Sequence, residues 1–237
     1  WEADGQWPYV LGTDTQGRDM LSAILYGSRI SILIGVASVV LSLAVGLSLG
    51  LVAGYFGRFI DNFLMRIGDV LLSIPTILIA ILVSAVVRQM LPPGLREVGA
   101  SAVLVLAITL SGWVQYARTV RAQTIVERGK EYVMAAKLLN VPKRRIMFRH
   151  ILPNAMVSTM TFMPFILTGA IGTLTALDFL GFGLPPGAPS LGELVAQGKS
   201  NLQAPWLGIS AFAVLAIMLS LLVFIGEAAR DAFDPRK

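Results

Sequence analysis

Long apolar segments without charge alternate with shorter charged segments along the chain. A bilayer core about 30 Å thick is crossed by roughly 20 mostly apolar helical residues, and backbone amides in lipid must be paired within the segment itself. The pattern therefore predicts an all-α integral membrane protein with five spanning helices. The second helix is expected to start before its apolar run, through Asp61, Arg66 and Asp69. The five runs are residues 30–57, 70–87, 98–117, 151–177 and 200–226.

Composition supports a membrane protein. Charged residues make up 14% of the chain and hydrophobic residues 55%, whereas soluble domains carry about 25% charged residues. The chain has no cysteine, which excludes a disulfide framework and a thiolate metal site. It begins with Trp1, and its first residues lack the basic start and apolar core of a signal peptide. We expect the native protein to begin upstream, with a further span.

The basic residues predict the orientation. Nine of the 19 lie between Arg118 and Arg149, flanked by apolar runs, which favours a cytoplasmic loop over a nucleic-acid groove. With five spans, one side of the membrane receives 14 basic residues and the other five, and the richer side is expected to be cytoplasmic. The amino end of this segment then lies outside.

Two segments between the spans are predicted to carry structure of their own. Residues 18–29 are amphipathic and suited to lying along the membrane surface. Residues 1–29 are therefore predicted to be a periplasmic segment with a surface helix, and residues 30–237 the transmembrane domain. Residues 178–206 are rich in glycine and proline, and we interpret them as an external loop that contains a short helix.

The loop at about residues 118–150 contains two predicted short helices joined by a sharp turn. Residues 131–139 have apolar positions at helical spacing. Asn140 tolerates the left-handed conformation that ends a helix, and Pro142 can start the next one. Ala135 and Ala136 would let another backbone approach closely. The alternative is an ordinary basic loop that only fixes the topology.

This loop resembles the EAA coupling loop of ABC importer permeases through Glu131, Ala135, Ala136, Asn140, Ile151 and Pro153. In that family a short helix of the loop is seated in a groove of the cytoplasmic ATPase. The resemblance implies coupling roles for a set of loop residues, and Asn140 replaces the usual glycine after the helix. The set is Glu131, Ala135, Ala136, Leu139, Asn140, Pro142 and Pro153.

Further motifs extend the resemblance over essentially the whole chain. Residues 11–31 and 54–75 are similar to signatures of the dipeptide and oligopeptide permease family, and residues 177–210 and 224–237 are most similar to Yej-type permeases of oligopeptide and microcin C uptake. The resemblance implies a type I ABC importer permease fold in the bacterial inner membrane. It also implies peptide transport by alternating access, without an enzymatic activity of this chain.

The same resemblance implies a set of partners. These are a second homologous permease, two ATP-binding subunits or one fused ATPase, a periplasmic substrate-binding protein and membrane lipid, but no nucleic acid. ATP and magnesium would be held by the ATPase partners, and no cofactor directly by this chain. Accordingly, the sequence lacks the G-x-x-x-x-G-K-[ST] phosphate loop. Two hypotheses stay open: a same-family importer of another cargo such as nickel chelates, and a passive channel or scaffold without ATP.

Other polar or small residues have a functional and a structural interpretation. Thr173, Thr175 and Asp178 could line the cargo path. Alternatively, the threonines bond the preceding helical turn, and Asp178 caps a helix that starts at Phe179.

Asp61, Arg66 and Asp69 are expected to pair structurally at the cytoplasmic end, since membrane-boundary charges are costly unless paired or wet. His150 is the only histidine, so neither a metal site nor a catalytic triad is expected. The glycines at positions 46, 50 and 54 allow close packing, either within the subunit or against a second permease.

Overall fold

Helices form most of the part of the chain that the structure describes. The structure, a computed structural model, describes residues 9–96, 99–185 and 187–233. A 3₁₀ turn lies at Pro93–Leu95 and a π-helical turn at Ile146–Ile151, which continues directly into α7. The α-helices are α1 (Met20–Phe56), α2 (Arg58–Ser73), α3 (Thr76–Met90), α4 (Ala100–Arg128), α5 (Glu131–Leu138), α6 (Lys143–Arg145), α7 (Leu152–Phe179), α8 (Leu191–Ser200) and α9 (Pro205–Phe233).

Four of the five predicted spans correspond to long apolar helices, and the second does not form one continuous helix. Among the described residues, α2 and α3 could make a fifth span only as a broken pair. The break lies at Ile74, whose backbone is extended with φ −99° and ψ 132°. The next residue is Pro75, and a proline disfavours the helical conformation in the residue before it. Val98, the predicted start of the third span, lies outside the described residues. The four segments are Met20–Phe56, Ala100–Arg128, Thr159–Phe179 and Pro205–Ala232.

The residues of the predicted surface helix, 18–29, do not form a helix of their own, and their placement along the membrane surface stays a prediction. Helix α1 begins at Met20 and continues without interruption to Phe56. One side of its first turns is covered by protein, since Met20, Ala23 and Ile24 are buried in one cluster with α8 and α9 residues. Leu25 and Tyr26 on these turns are exposed. Residues 1–8 of the predicted periplasmic segment lie outside the described residues, and the division at residue 29 stays a prediction. The short helix expected within residues 178–206 is confirmed by α8.

Contacts group the chain into two compact units. The first consists of Trp1–Ser38, Ile77–Ile108 and Leu167–Val223, and its core includes Leu191 and Leu194. The second consists of Val39–Thr76, Thr109–Ile166 and Phe224–Lys237. The second unit contains the predicted coupling loop.

Glycines of α1 allow a close approach to α4 inside the second unit. A Cβ atom added at Gly50 would lie 2.5 Å from the carbonyl oxygen of Ala117, and one at Gly54 would lie 2.7 Å from Cβ of Thr124. Real Cβ atoms essentially never show contacts under 3.0 Å, so a side chain at these positions would push the two helices apart. The interpretation of these glycines as packing within the subunit is confirmed.

Candidate functional site

Helix α5 ends in a Schellman motif, which turns the chain sharply towards α6. Asn140 has φ +53°, as predicted for a left-handed cap. Its N–H donates to the carbonyl of Lys137 at 3.0 Å, and the N–H of Val141 donates to the carbonyl of Ala136 at 3.0 Å. These two bonds satisfy carbonyl groups that a helix end leaves unpaired. Asparagine therefore supports the turn at which the resembling family has glycine.

A polar network connects the start of α5 to α4 and α7. Glu127 of α4 is buried and accepts hydrogen bonds from Lys130 Nζ at 2.7 Å and from the Tyr132 hydroxyl at 2.6 Å. Asn154 Nδ2 in turn donates to the hydroxyl oxygen of Tyr132 at 3.2 Å. Burial and the hydrogen bond to Glu127 raise the pKa of Tyr132, so the phenol stays protonated and donates to Glu127. The sequence prediction did not include this network, although the opposite charges at Glu127 and Lys130 are at helical i,i+3 spacing.

The inner side of α5 packs on the core of its own unit. Val133 and Ala136 are buried in a cluster with residues from α1, α4 and the π-helical turn. The other members of this cluster are Leu51, Tyr55, Val120, Ile146, Met147 and Ile151. The small side chain of Ala136 therefore contacts side chains of this chain's own core, whereas the sequence suggested contact with the backbone of another protein.

The opposite side of α5 is exposed and partly apolar. We call Glu131, Met134, Ala135, Leu138 and Leu139 the exposed face of α5. Leu138 is 84% exposed and Leu139 79% exposed, and Glu131 and Ala135 are exposed beside them. Leu138 and Met134 were not predicted as site residues, although their spacing of four places them on one helix face. Such a patch on a short projecting helix is typical of a protein interaction surface.

Pro142 and Pro153 shape the chain around the π-helical turn. Pro142 is the N-cap of α6. A proline ring inside a helix collides with the carbonyl four residues earlier, which for Pro153 belongs to Arg149. The wider turn at Ile146–Ile151, in which the N–H of Leu152 reaches the carbonyl of Met147, relieves this conflict. The carbonyl of His150 accepts from Asn154 Nδ2 at 2.9 Å.

Ion pairs fasten α2 to α4 within the second unit. Asp61 accepts two hydrogen bonds from Arg121, and the one from Nη2 to Oδ2 is 2.6 Å long. Asp69 pairs with Arg118 at 2.5 Å. The predicted structural pairing of Asp61 and Asp69 is thus confirmed. Arg66, for which pairing was also expected, is exposed.

The two ion pairs should differ in their effect on stability. The side chains of Arg121 and Asp61 are 34% and 12% exposed, against 47% and 57% for Arg118 and Asp69. Arg121→Met leaves Asp61 largely buried and unpaired, so we expect a loss of about 1–3 kcal/mol, between the values for exposed and fully buried pairs. The matched control Arg118→Met should cost under about 1 kcal/mol. Thermal unfolding in nanodiscs measures both, and equal shifts would contradict this ranking.

The three residues that were candidates for the cargo path bond within the first unit. The hydroxyls of Thr173 and Thr175 donate to the carbonyls of Gly169 at 3.0 Å and Ile171 at 2.9 Å, which confirms the structural interpretation. The predicted cap at Asp178 is wrong, because α7 continues through Phe179. Instead, the Asp178 carboxylate accepts from the Leu184 N–H at 2.7 Å and from the Ser190 hydroxyl. Ser190 is the N-cap of α8, so Asp178 organises the loop before that helix. A role in the path stays a prediction.

Comparison with known proteins gives the family. The family model described as "binding-protein-dependent transport system inner membrane component" matches residues 46–237. The chain belongs to this family. The resemblance inferred from the sequence motifs is thereby confirmed. Like the rest of its family, the chain is a multi-pass protein of the inner membrane.

Similar proteins include permeases that are named for peptidoglycan and dipeptide transport. The chain is 52% identical to the peptidoglycan transport system permease protein YejE of Agrobacterium fabrum, over 96% of this chain and 57% of that protein. It is 51% identical to the inner membrane ABC transporter permease protein YejE of Escherichia coli, over 96% and 64%. The dipeptide transport system permease protein DppC of Haemophilus influenzae is 37% identical, over 100% and 77%. The chain spans less than two thirds of the length of either YejE protein.

A solved structure shows the same fold at low sequence identity. A chain of the MetNI methionine ABC transporter, in an inward-facing conformation, superposes with a TM-score of 0.72 at 18% identity, covering 91% of this chain and 98% of that one. The predicted all-α, type I ABC importer permease fold is confirmed.

Proposed function

We propose that this chain is a permease subunit of a binding-protein-dependent ABC importer that moves peptides across the inner membrane. The observation that carries the proposal is the exposed face of α5, an apolar surface on a cytoplasmic loop of a transport-family chain. Leu138 and Leu139 point away from the chain's own core, while Val133 and Ala136 hold the helix on that core. This division of the helix into two sides is what docking onto a partner requires.

The supports of α5 provide a route for mechanical coupling. Its inner side packs on α1, α4 and the π-helical turn, and Tyr132 bonds to Glu127 of α4 and Asn154 of α7. A displacement of α5 by a partner therefore reaches three long helices through packed contacts. A ligand shifts a conformational equilibrium only by its differential affinity for the two states. Nucleotide on the ATPase and loaded binding protein outside would each favour one state of the alternating-access cycle.

The partners in this proposal follow from the family. They are a second homologous permease, two ATP-binding subunits or one fused ATPase, and a periplasmic substrate-binding protein, all within or beside membrane lipid. ATP and magnesium belong to the ATPase in this scheme. This chain contributes binding surface and path, with no cofactor of its own.

The cargo class rests on the names of the relatives. Two similar permeases are named YejE, one of them for peptidoglycan transport, and a third is named for dipeptide transport. Two of these names state a cargo, peptidoglycan and dipeptides, and both kinds of molecule contain peptide bonds. Uptake of oligopeptides, and of peptide-like compounds such as microcin C, is therefore favoured over uptake of nickel chelates.

Affinity purification from membranes in mild detergent, followed by mass spectrometry, tests the assembly. We expect a second permease and an ATPase with a phosphate-binding loop to copurify in stable amounts. Isolation of the subunit alone or as a homo-oligomer, under conditions that keep a known importer intact, would contradict the proposal and favour a passive channel.

A further inference from the structure

A small polar cavity lies within the first unit, beside the ends of α3 and α7 on the predicted external side. Its charged lining residues are Arg88, Asp178 and Glu193. The rest of the lining comes from the end of α7, from α8 and from the loop between them. The cavity has a volume of about 270 Å³. We call it the Arg88 cavity.

Arg88 carries buried donors that the chain itself leaves unpaired. The Nε and Nη2 atoms of its guanidinium are buried and have no hydrogen-bond partner among the described residues. These two atoms form an edge that can bind a carboxylate through two parallel hydrogen bonds. Arg121 binds Asp61 with the same edge, through its Nε and Nη2 atoms. Since a buried charge is costly unless it is paired and hydrogen-bonded, a ligand that supplies two acceptors to Arg88 gains binding free energy.

The two carboxylates of the lining do not take these donors. Asp178 accepts from the loop before α8, through the Leu184 N–H at 2.7 Å. Glu193 accepts from Gln16 Nε2 at 3.1 Å and from Gln197 Nε2 at 3.2 Å. The buried donors of the guanidinium reach neither acidic group. The fork therefore points to an acceptor from outside this chain.

Two further cations lie beside the acidic lining. Arg18 Nη2 lies 3.7 Å from Glu193 Oε2. Lys199 Nζ lies 5.2 Å from the centre of the Phe179 ring, and Phe179 lines the cavity. Both add positive charge where Glu193 would otherwise repel an incoming anion, and this lowers the cost of binding one.

We propose that the Arg88 cavity binds the C-terminal carboxylate of the transported peptide. This inference rests on the proposed function, which supplies peptides as cargo. Pockets for drug-sized ligands measure about 300–1,000 Å³, so a cavity of about 270 Å³ suits the end of a peptide and not a whole oligopeptide. The donors of Arg88 are buried, so the carboxylate must enter on a slender chain end, which favours a peptide terminus over the surface of a folded binding protein. Recognition of this end group would be independent of the peptide's side chains.

Equilibrium binding of a labelled tripeptide to the purified permease complex in nanodiscs, without binding protein, tests the inference. The C-terminal amide of the same tripeptide is the matched ligand. The wild type should bind the free acid at least about tenfold more tightly than the amide, because the amide loses hydrogen bonds between charged groups. Arg88→Gln should bind both ligands equally, and Arg88→Lys, which keeps the charge but not the fork, should show a reduced preference. The control Arg29→Gln removes an exposed arginine of α1 outside the cavity lining and should keep the wild-type preference.

Equal affinity of the wild type for the two ligands, or an unchanged preference in Arg88→Gln, would overturn the inference. Weaker attachment of the periplasmic binding protein to Arg88→Gln, with unchanged tripeptide binding, would assign the fork to an acidic residue of that protein and also overturn it. Uptake of the tripeptide in proteoliposomes tests the proposed function separately: a wild type that transports the tripeptide without this preference refutes the inference alone, and one that transports no peptide refutes both. Thermal unfolding checks that Arg88→Gln is folded, and if it is not, Arg88→Lys and the wild-type comparison decide.

Discussion

Leu138→Asp should lower the affinity of the permease for its ATP-binding subunit about 100-fold while the permease still folds. Leu138 is 84% exposed, so its replacement removes no core contact of this chain. In the docked complex it would lie in the apolar centre of the interface. Truncation of such central residues costs about 2 kcal/mol or more, and a buried unpaired carboxylate adds to that loss. A tenfold change in affinity corresponds to about 1.4 kcal/mol.

The matched control is Leu202→Asp. Leu202 is 83% exposed but lies in the loop between α8 and α9, on the predicted external side. Binding of the ATP-binding subunit should be unchanged by this substitution. If Leu138→Asp and Leu202→Asp both retain wild-type affinity, the exposed face of α5 is not the docking surface.

Ala136→Asp should destabilise the loop, whereas Ala135→Asp should weaken only partner binding, although the two residues are neighbours. Ala136 is buried beside Val133, Leu51 and Ile146, so an aspartate there is an unpaired charge inside the core and should destabilise the loop by about 3–5 kcal/mol. Ala135 is exposed, and an aspartate there should leave the loop folded and weaken only partner binding. Protease cleavage of the loop in intact complexes, together with thermal unfolding, distinguishes the two effects.

Equal protease sensitivity of the two variants would contradict this assignment of inner and outer sides. The sequence alone suggested the same interpretation for both alanines, as small residues that let another backbone approach closely. The structure changes that expectation for Ala136 only.

The elements that could be predicted from the sequence are those dictated by local chemistry. A long run without charge is a helix in lipid because its amides have no other partner, and α1, α4, α7 and α9 follow this rule. Asn140 could be assigned to a left-handed turn because few other residues tolerate that conformation. In the same way, the pairing of Asp61 and Asp69 followed from the cost of isolated charges at a membrane boundary.

The features that could not be predicted depend on what packs against a segment. Residues 20–29 have a pattern suited to a membrane surface, but Met20, Ala23 and Ile24 pack against α8 and α9. Pro75 could have predicted the break at Ile74, but the spans were predicted from apolar composition, which does not register a proline. Which side of α5 faces the core depends on tertiary contacts of Val133 and Ala136. The partners of Glu127 and Asp178 likewise come from elsewhere in the fold.

Uptake of a labelled tripeptide by the purified transporter complex in proteoliposomes tests the central claim most directly. Loaded binding protein is supplied on one side and ATP with magnesium on the other. We predict peptide accumulation that requires both ATP and binding protein, and that is lost in a complex containing Leu138→Asp. Peptide movement that is independent of nucleotide, or ATP-dependent uptake of a metal chelate without uptake of any peptide, would contradict the account.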